Sequence, residues 1–436
     1  MVIGFLTFAI SKKKSKMQPT YSQLSETLIG SEIVKLGNMI RQRKAAGETI
    51  YNFTIGDFDP QIFPIPEVLE KEIIEAYRQH FTSYPLADGE MDLRQSVSSF
   101  IKHYEGLDYG VNEIQIASGG RPLIYTIFRA LVNPGDKVIY ANPSWNNNHY
   151  THFTSGEHIM VDVLPENAFM PTAAEIEPHI KGAALICLCT PQNPTGTTLP
   201  RVEMEKICQM ILAENKSRGE NEKKLYLLFD QMYWTLCYGE TEHHNPVGLV
   251  PAMKEYTVFV DGISKAFAAT GVRVGWSLGP ESLIAKMRAI LSHVGAWAPM
   301  AEQKATAKFL QNTEAINRFL AQFKKDISYR LHTIFAGIQR LKNAGYAVDA
   351  ITPQAAIYLT LKFDLKEKKK NNGEVLMQQS DVTQYLLEAA GLAIVPFSSF
   401  GASKESPWYR MSVGTCKVED IEPMFAKLEI ALSKLS

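Results

Sequence analysis

Short, continuous apolar runs alternate with amphipathic stretches through the middle of the chain. They are "EIQIASGG" near residue 113, "KVIYANPSW" near 137, "AALICLCTPQNPTG" near 183, "LYLLFDQMYW" near 225 and "YTVFVDGISK" near 256. Runs of this kind suit strands covered on both faces, and their spacing by helical patterns predicts an α/β architecture built on a parallel sheet. From about 303 to 343, helix-forming residues repeat every 3.6 positions, which predicts one long helix leaving the first domain. Beyond it, "IYLTLKF", "GLAIVPF" and "WYRMSVG" read as strands, with an amphipathic helix after them. These predict a second, smaller α+β unit. No internal repeat is visible.

Length and charge narrow the picture. With 436 residues the chain exceeds what one core usually supports, which predicts two domains or one large domain with an appended smaller one. The 45 Lys and Arg against 46 Asp and Glu leave a formal charge of -1, with no electrostatic footprint for nucleic acid or an anionic membrane. The expected partner is a small molecule. The charged stretches 213–224 and 364–375 read as solvated loops or helix ends. Five cysteines without a CxxC pair predict a reducing, cytoplasmic setting with no disulfide and no structural zinc. The first twenty residues, "MVIGFLTFAISKKKSKMQPT", place their basic residues after a short apolar stretch, so neither a signal peptide nor a membrane span fits. A frayed leader is expected there, with Met17 as an alternative start.

In an open parallel sheet, ligands sit beyond the carboxyl ends of the strands. After the first run come Ser118, Gly119 and Gly120, opening a helical pattern; glycines there bring backbone N–H groups close to an anion, and the helix dipole adds attraction. The second run leads to Trp145, a flat face for a ring. Asn193 follows the third, Asp230 and Tyr233 the fourth, and Ser264 and Lys265 the fifth. Each alone has an ordinary structural explanation as a turn, a core residue or a cap. Together, a phosphate seat, a stacking face, a phenolic hydrogen-bond partner, a carboxylate and a lysine describe pyridoxal 5'-phosphate held as a Schiff base.

The segments "TPQNPTG", "DQMY" and "SKAFAATGVRVGW", in that order and followed by a late arginine, resemble the class I, aspartate-aminotransferase-like family of fold-type I pyridoxal-phosphate enzymes. The likeness runs from about residue 30 to the end. It implies a large, mixed, mostly parallel sheet domain with a smaller α+β domain. The corresponding boundaries are an N-terminal arm at 1–30, part of the small domain at 31–60, the cofactor-binding domain at 61–305, and the interdomain helix with the small C-terminal domain at 306–436. By the same resemblance Lys265 is the Schiff-base lysine, and Asp230 pairs with the pyridinium nitrogen. Asn193 and Tyr233 reach the phenolic oxygen, and Trp145 stacks on the ring. Ser118, Gly119, Gly120, Ser264 and Arg273 hold the phosphate. Gly56, in "NFTIGDFDP", lies against substrate, and Arg410, in "WYRMSVG", grips the α-carboxylate. Tyr84, in "SYPLADGEMDLR", reaches the phosphate of the neighbouring subunit, which implies a homodimer.

The chain departs from the family pattern at Gly262, where relatives often carry serine, and at Ala355 and Phe397, where glycine is common; these positions bear on the size of the site. His149 and His152 have helical metal-ligand spacing, but two histidines alone rarely hold a metal, and no metal site is expected. The activity implied is a ping-pong transfer of an amino group between an α-amino acid and a 2-oxo acid. Arg121, just after the glycines, stands where some relatives place a reader of a distal carboxylate, which implies aspartate or glutamate as donor and 2-oxoglutarate as acceptor. The alternatives are an aromatic or neutral amino-acid aminotransferase, another pyridoxal reaction such as β-elimination, and a cofactor-sensing regulatory domain. The last would need a basic winged helix ahead of residue 30.

Overall fold

The computed structural model describes residues 20–28, 30 and 32–436. Of the arm expected over 1–30, residues 1–19 and 29 fall outside this range; the described part holds a short helix, Gln23–Thr27, capped where Ser22 accepts from the Ser25 N–H. Residues 31–436 form a separate unit. Its strands are β1 (Tyr51–Asn52), β2 (Ile114–Ala117), β3 (Lys137–Asn142), β4 (Glu157–Asp162), β5 (Ala183–Cys189), β6 (Tyr226–Asp230), β7 (Thr257–Gly262), β8 (Gly275–Leu278), β9 (Val348–Ala350), β10 (Tyr358–Phe363), β11 (Leu392–Ala393), β12 (Val395–Pro396) and β13 (Trp408–Ser412).

All five apolar runs are strands of one seven-stranded sheet, ordered β2-β8-β7-β6-β5-β3-β4. Pairing is parallel from β4 through β7, and β8 runs antiparallel to both β7 and β2. The sheet is therefore mixed and mostly parallel. Two of its strands carry no continuous apolar signal. The edge strand β4 is largely exposed, and β8 is broken by glycine on both sides in "GVRVGWSLG". At Gly275 the glycine is required by space, because a Cβ there would lie 2.8 Å from the Gly119 carbonyl carbon.

The expected long helix over 303–343 is two helices, Met300–Leu310 and Thr313–Asn343. Asn312 interrupts it. Its side chain accepts from the Ala315 N–H at 3.0 Å, a local bond that starts a new helix rather than continuing the old one. The longer helix packs on the four-stranded sheet β12-β13-β10-β9, while β1 pairs in parallel with β11. This smaller sheet has its own core, including Phe323, Leu359, Tyr409 and Phe425.

The charged stretch 213–224 is less solvated than its composition suggests. Arg218 is 10 % exposed, pairs with Glu214 and donates to the carbonyls of Ala183 and Lys223. Lys224 donates to three further carbonyls. This stretch ties the end of one helix back to the sheet.

Gly337 in the long helix sits against the Phe425 ring, which a Cβ would overlap. Gly→Ala in a helix ordinarily stabilises by up to about 1 kcal/mol. Here overpacking reverses the sign: Gly337→Ala should destabilise by about 1–3 kcal/mol in urea unfolding, and a stabilised variant would show that the interface yields freely.

Candidate active site

The parallel strands bring their carboxyl ends to one edge, and the residues singled out at the ends of the apolar runs lie along it. Asp230 is the last residue of β6, beside Cys189 of β5 and Val260 of β7. Lys265 lies in a single helical turn, Ile263–Ala266, directly after β7. Its Nζ donates to the Gly56 carbonyl at 2.6 Å and lies 5.6 Å from the Phe58 ring centre. Burial lowers the Lys265 pKa to about 8; Asp57 opposes this, and Arg410, Arg273 and Arg121 push further down.

Arg410, on β13 of the smaller sheet, is 2 % exposed. Its Nη1 donates to Asn193 Oδ1 at 3.0 Å and its Nη2 to the Thr54 carbonyl at 2.7 Å. The rings of Tyr358 and Phe400 each lie 4.8 Å from the guanidinium carbon, and Nε is buried without a partner. Gly56 completes this wall, since a Cβ there would stand 2.7 Å from the Tyr358 hydroxyl. Tyr233, after β6, shares a 2.6 Å hydrogen bond with that same hydroxyl. Burial raises both phenols above their ordinary range.

Arg273 adopts a left-handed backbone, φ 64°. Its Nη1 donates to the Thr270 carbonyl at 2.6 Å and its Nη2 to the Ser118 carbonyl at 2.7 Å. The guanidinium occupies the space a Cβ on Gly119 would need, and Gly119 itself has φ 87°. Gly120 then opens the helix Gly120–Leu131, leaving N–H groups free at its start. Ser264 is buried one residue before Lys265. Arg121 lies over the half-buried Trp145 ring, 4.8 Å from its centre. The half-buried Asp230 carboxylate accepts from the Met232 N–H at 3.1 Å, and burial raises its pKa to about 6.

One singled-out residue stands apart from this set. Tyr84 is 87 % exposed, with its ring edge-on to Trp297 at 5.7 Å. Four residues at the site were not singled out from the sequence. Tyr358 was read only as the start of a strand, Asp57 follows Gly56 in the quoted "NFTIGDFDP", and Thr54 and Phe400 gave no signal beyond ordinary loop composition. At Gly262 the departure from the family has a spatial reason: a Cβ would lie 2.8 Å from both the Val274 carbonyl oxygen and the Gly275 Cα. Ala355 and Phe397 are fully buried, and Phe397 packs edge-on against Phe169 in the core. His149 and His152 share the helix Asn147–Phe153; among the described residues no group of His, Cys, Asp and Glu is placed to hold a metal.

The comparisons with known proteins agree with this geometry. Residues 48–428 match the family described as aminotransferase class I and II. The aspartate aminotransferase of Rhizobium meliloti (strain 1021) is 26 % identical over 434 residues, covering 99 % of this chain and 100 % of the relative. The aspartate/prephenate aminotransferase of Thermus thermophilus is 28 % identical over 359 residues, covering 82 % and 85 %. A crystal structure of the Rhizobium meliloti aspartate aminotransferase superposes with a TM-score of 0.86 at 26 % identity, covering 96 % of this chain and all of that one. The Thermus thermophilus enzyme with maleate gives 0.83 at 25 % identity, covering 95 % and 100 %. An α/β sheet of this order, a lysine held at the end of β7 and a match over most of the length lead to one conclusion: the chain belongs to the class I and II aminotransferases, and it is a transaminase.

Proposed function

We propose that this aminotransferase uses pyridoxal 5'-phosphate to move an amino group between an acidic amino acid, aspartate or glutamate, and a 2-oxo acid, with 2-oxoglutarate as the acceptor when aspartate is the donor. The observation that carries this reading is the positive charge enclosed at the sheet edge. The hydrogen bonds of Lys265, Arg273 and Arg410 go to carbonyl and amide oxygens, not to carboxylates. Buried and half-buried cations so arranged call for anionic ligands, and a phosphate with a substrate carboxylate supplies them.

The residues present fit the cofactor. The phosphate would rest on the N–H groups after Ser118 and Gly119, with Ser264 and Arg273 beside it. Among the described residues no cation is found to act on Asp230, and a pyridinium nitrogen would offset the burial that now raises its pKa. The Asn193 side-chain oxygen is taken by Arg410, so its amide nitrogen is the end free to donate to a phenolic oxygen, beside Tyr233. Trp145 offers the stacking face. When bound, pyridoxal phosphate supplies an electron sink for the charge that develops at the substrate Cα. Burial lowers the Lys265 pKa to about 8, which raises the share of neutral Nζ able to accept the Cα proton and return it. Arg410, fixed by Asn193 and Thr54, would orient the α-carboxylate, and Arg121 over Trp145 would meet a distal one.

Further support concerns assembly and setting. Tyr84 is exposed enough to reach a second copy, which favours a homodimer. Pairing of β1 with β11 supports reading 31–60 and 306–436 as one smaller domain. Among the described residues no helix is long and apolar enough to cross a membrane, and five free cysteines suit a cytoplasmic enzyme.

Three outcomes test these roles. Lys265→Ala should keep cofactor through the phosphate and ring contacts but lose at least about 10²-fold in turnover; substantial multiple turnover by this variant would remove Lys265 from the chemistry. Arg121→Met should raise KM for acidic donors about tenfold, as expected for one charge-assisted contact, while sparing neutral donors. An equal effect on all donors, or a wild-type preference for aromatic ones, would reassign the substrate. The third outcome is a pH dependence. Because the folded-state pKa of Lys265 is lowered, the unfolded chain binds the extra proton between about pH 8 and 10.5, and stability rises with pH across that window. In the cofactor-free protein, Lys265→Met should therefore gain up to about 3 kcal/mol at pH 7, with the advantage fading towards pH 10.5. A gain independent of pH in paired urea titrations would contradict the burial of a charged ammonium.

A further inference from the structure

Directly behind Asp230 and Lys265, on the other face of the sheet, lies a buried polar cluster that the transfer reaction does not use. Successive side chains of a strand face opposite ways. Asp230 is level with Val260 of β7, so Gln231 and Asp261 both turn to the rear. Both are fully buried. There they meet Glu105, the last residue of the helix Met91–Glu105, and His243 from the loop after β6.

The Gln231 amide nitrogen donates to both Glu105 carboxyl oxygens, at 2.8 and 2.9 Å. His243 Nε2 lies 3.3 Å from Gln231 Oε1 and 3.8 Å from Glu105 Oε2. Asp261 Oδ2 accepts from Trp234 Nε1 at 2.9 Å, and its Oδ1 accepts from the Gly262 N–H at 2.7 Å. Rings of Phe229 and Trp234 close over His243. The charged and titratable groups facing the cluster include Asp230 across the sheet, His244 beside His243 and the buried Tyr109 phenol near Glu105. Burial holds the Glu105 carboxyl well above its ordinary range, with Asp261 adding to the shift, and the helix C-terminus acts in the same direction. Burial lowers His243 to about 3.

Burying such groups costs more than an apolar filling of the same volume, and directional bonds offset that cost only in one geometry. Each bond leads to a backbone turn of the site. Gln231 adjoins Asp230, and Asp261 grips the N–H of Gly262, three residues before Lys265. We propose that this rear-face cluster is a positioning device: Glu105 and His243 clamp Gln231 to fix the turn carrying Asp230, and Asp261 fixes the turn carrying Lys265. The inference rests on the roles given to Asp230 and Lys265 above.

The test exchanges the clamp partners. Gln231→Glu sets a second carboxyl against Glu105, and Gln231→Leu removes both arms without adding charge. Each should lower kcat per bound cofactor about tenfold with KM for the amino donor within about twofold, the pattern of lost transition-state placement. Each should also weaken pyridoxal phosphate binding to the cofactor-free protein about tenfold, a reading independent of turnover. Glu105→Gln keeps an acceptor for Gln231 and should stay near wild type. The double exchange Glu105→Gln with Gln231→Glu rebuilds the pair and should restore both quantities to within about threefold. Folded Gln231 variants with wild-type kcat and affinity, changed only in unfolding temperature, would overturn the proposal, as would a loss that the exchange fails to restore. Lys265→Ala is measured in parallel. If it retains turnover, the reading of the site itself fails; if it is inactive while the Gln231 variants are normal, only the positioning role fails.

Discussion

The site depends on an imbalance of buried charge. Arg410 is buried and Lys265 and Arg273 are half-buried near the carboxyl edge of the sheet, and their hydrogen bonds go to neutral oxygens, with Asp57 the acidic group acting on Lys265 and Arg273. A cation so placed is held at a cost of several kcal/mol unless a ligand neutralises it. The fold tolerates this because the rest of the molecule is well filled: strands β5 and β7 are buried almost throughout, and both sheets carry extensive apolar cores. Stability is built in the layers, and strain in charge is concentrated where ligands enter.

The same imbalance explains why two sheets are needed. The large sheet supplies Asp230, Lys265 and the glycine turn, while the smaller one supplies Arg410 and Tyr358. The Asn193 side chain spans the two, accepting from Arg410. Tyr233 and Tyr358 make a second link, hydroxyl to hydroxyl. A change in the relative placement of the sheets would therefore be felt at Arg410, and at Lys265 through its bond to the Gly56 carbonyl.

Much of this was legible in the sequence, for identifiable reasons. Strands buried on both faces write themselves as continuous apolar runs, so five of the seven strands of the large sheet were plain, and the ends of those runs pointed to Asp230 and Lys265. What escaped was whatever lacks such a signature. Strand β4 is exposed and β8 lies between glycines. The break at Asn312 depends on one side-chain bond that leaves the helical period on either side intact. Tyr358, Thr54 and Phe400 reach the site only through tertiary packing, and the cluster around Gln231 depends on which way a strand residue turns once its neighbours are paired. None of these is a property of a local window.

The central claim is that the lysine after β7 is the group that joins the cofactor. It is tested most directly by incubating the protein with pyridoxal 5'-phosphate, reducing with borohydride and mapping the stable phosphopyridoxyl adduct by peptide mass spectrometry. The account predicts one stoichiometric adduct, on the peptide containing Lys265, and its loss in Lys265→Ala. A stoichiometric adduct on another lysine, or none on Lys265 at saturating cofactor, would contradict it.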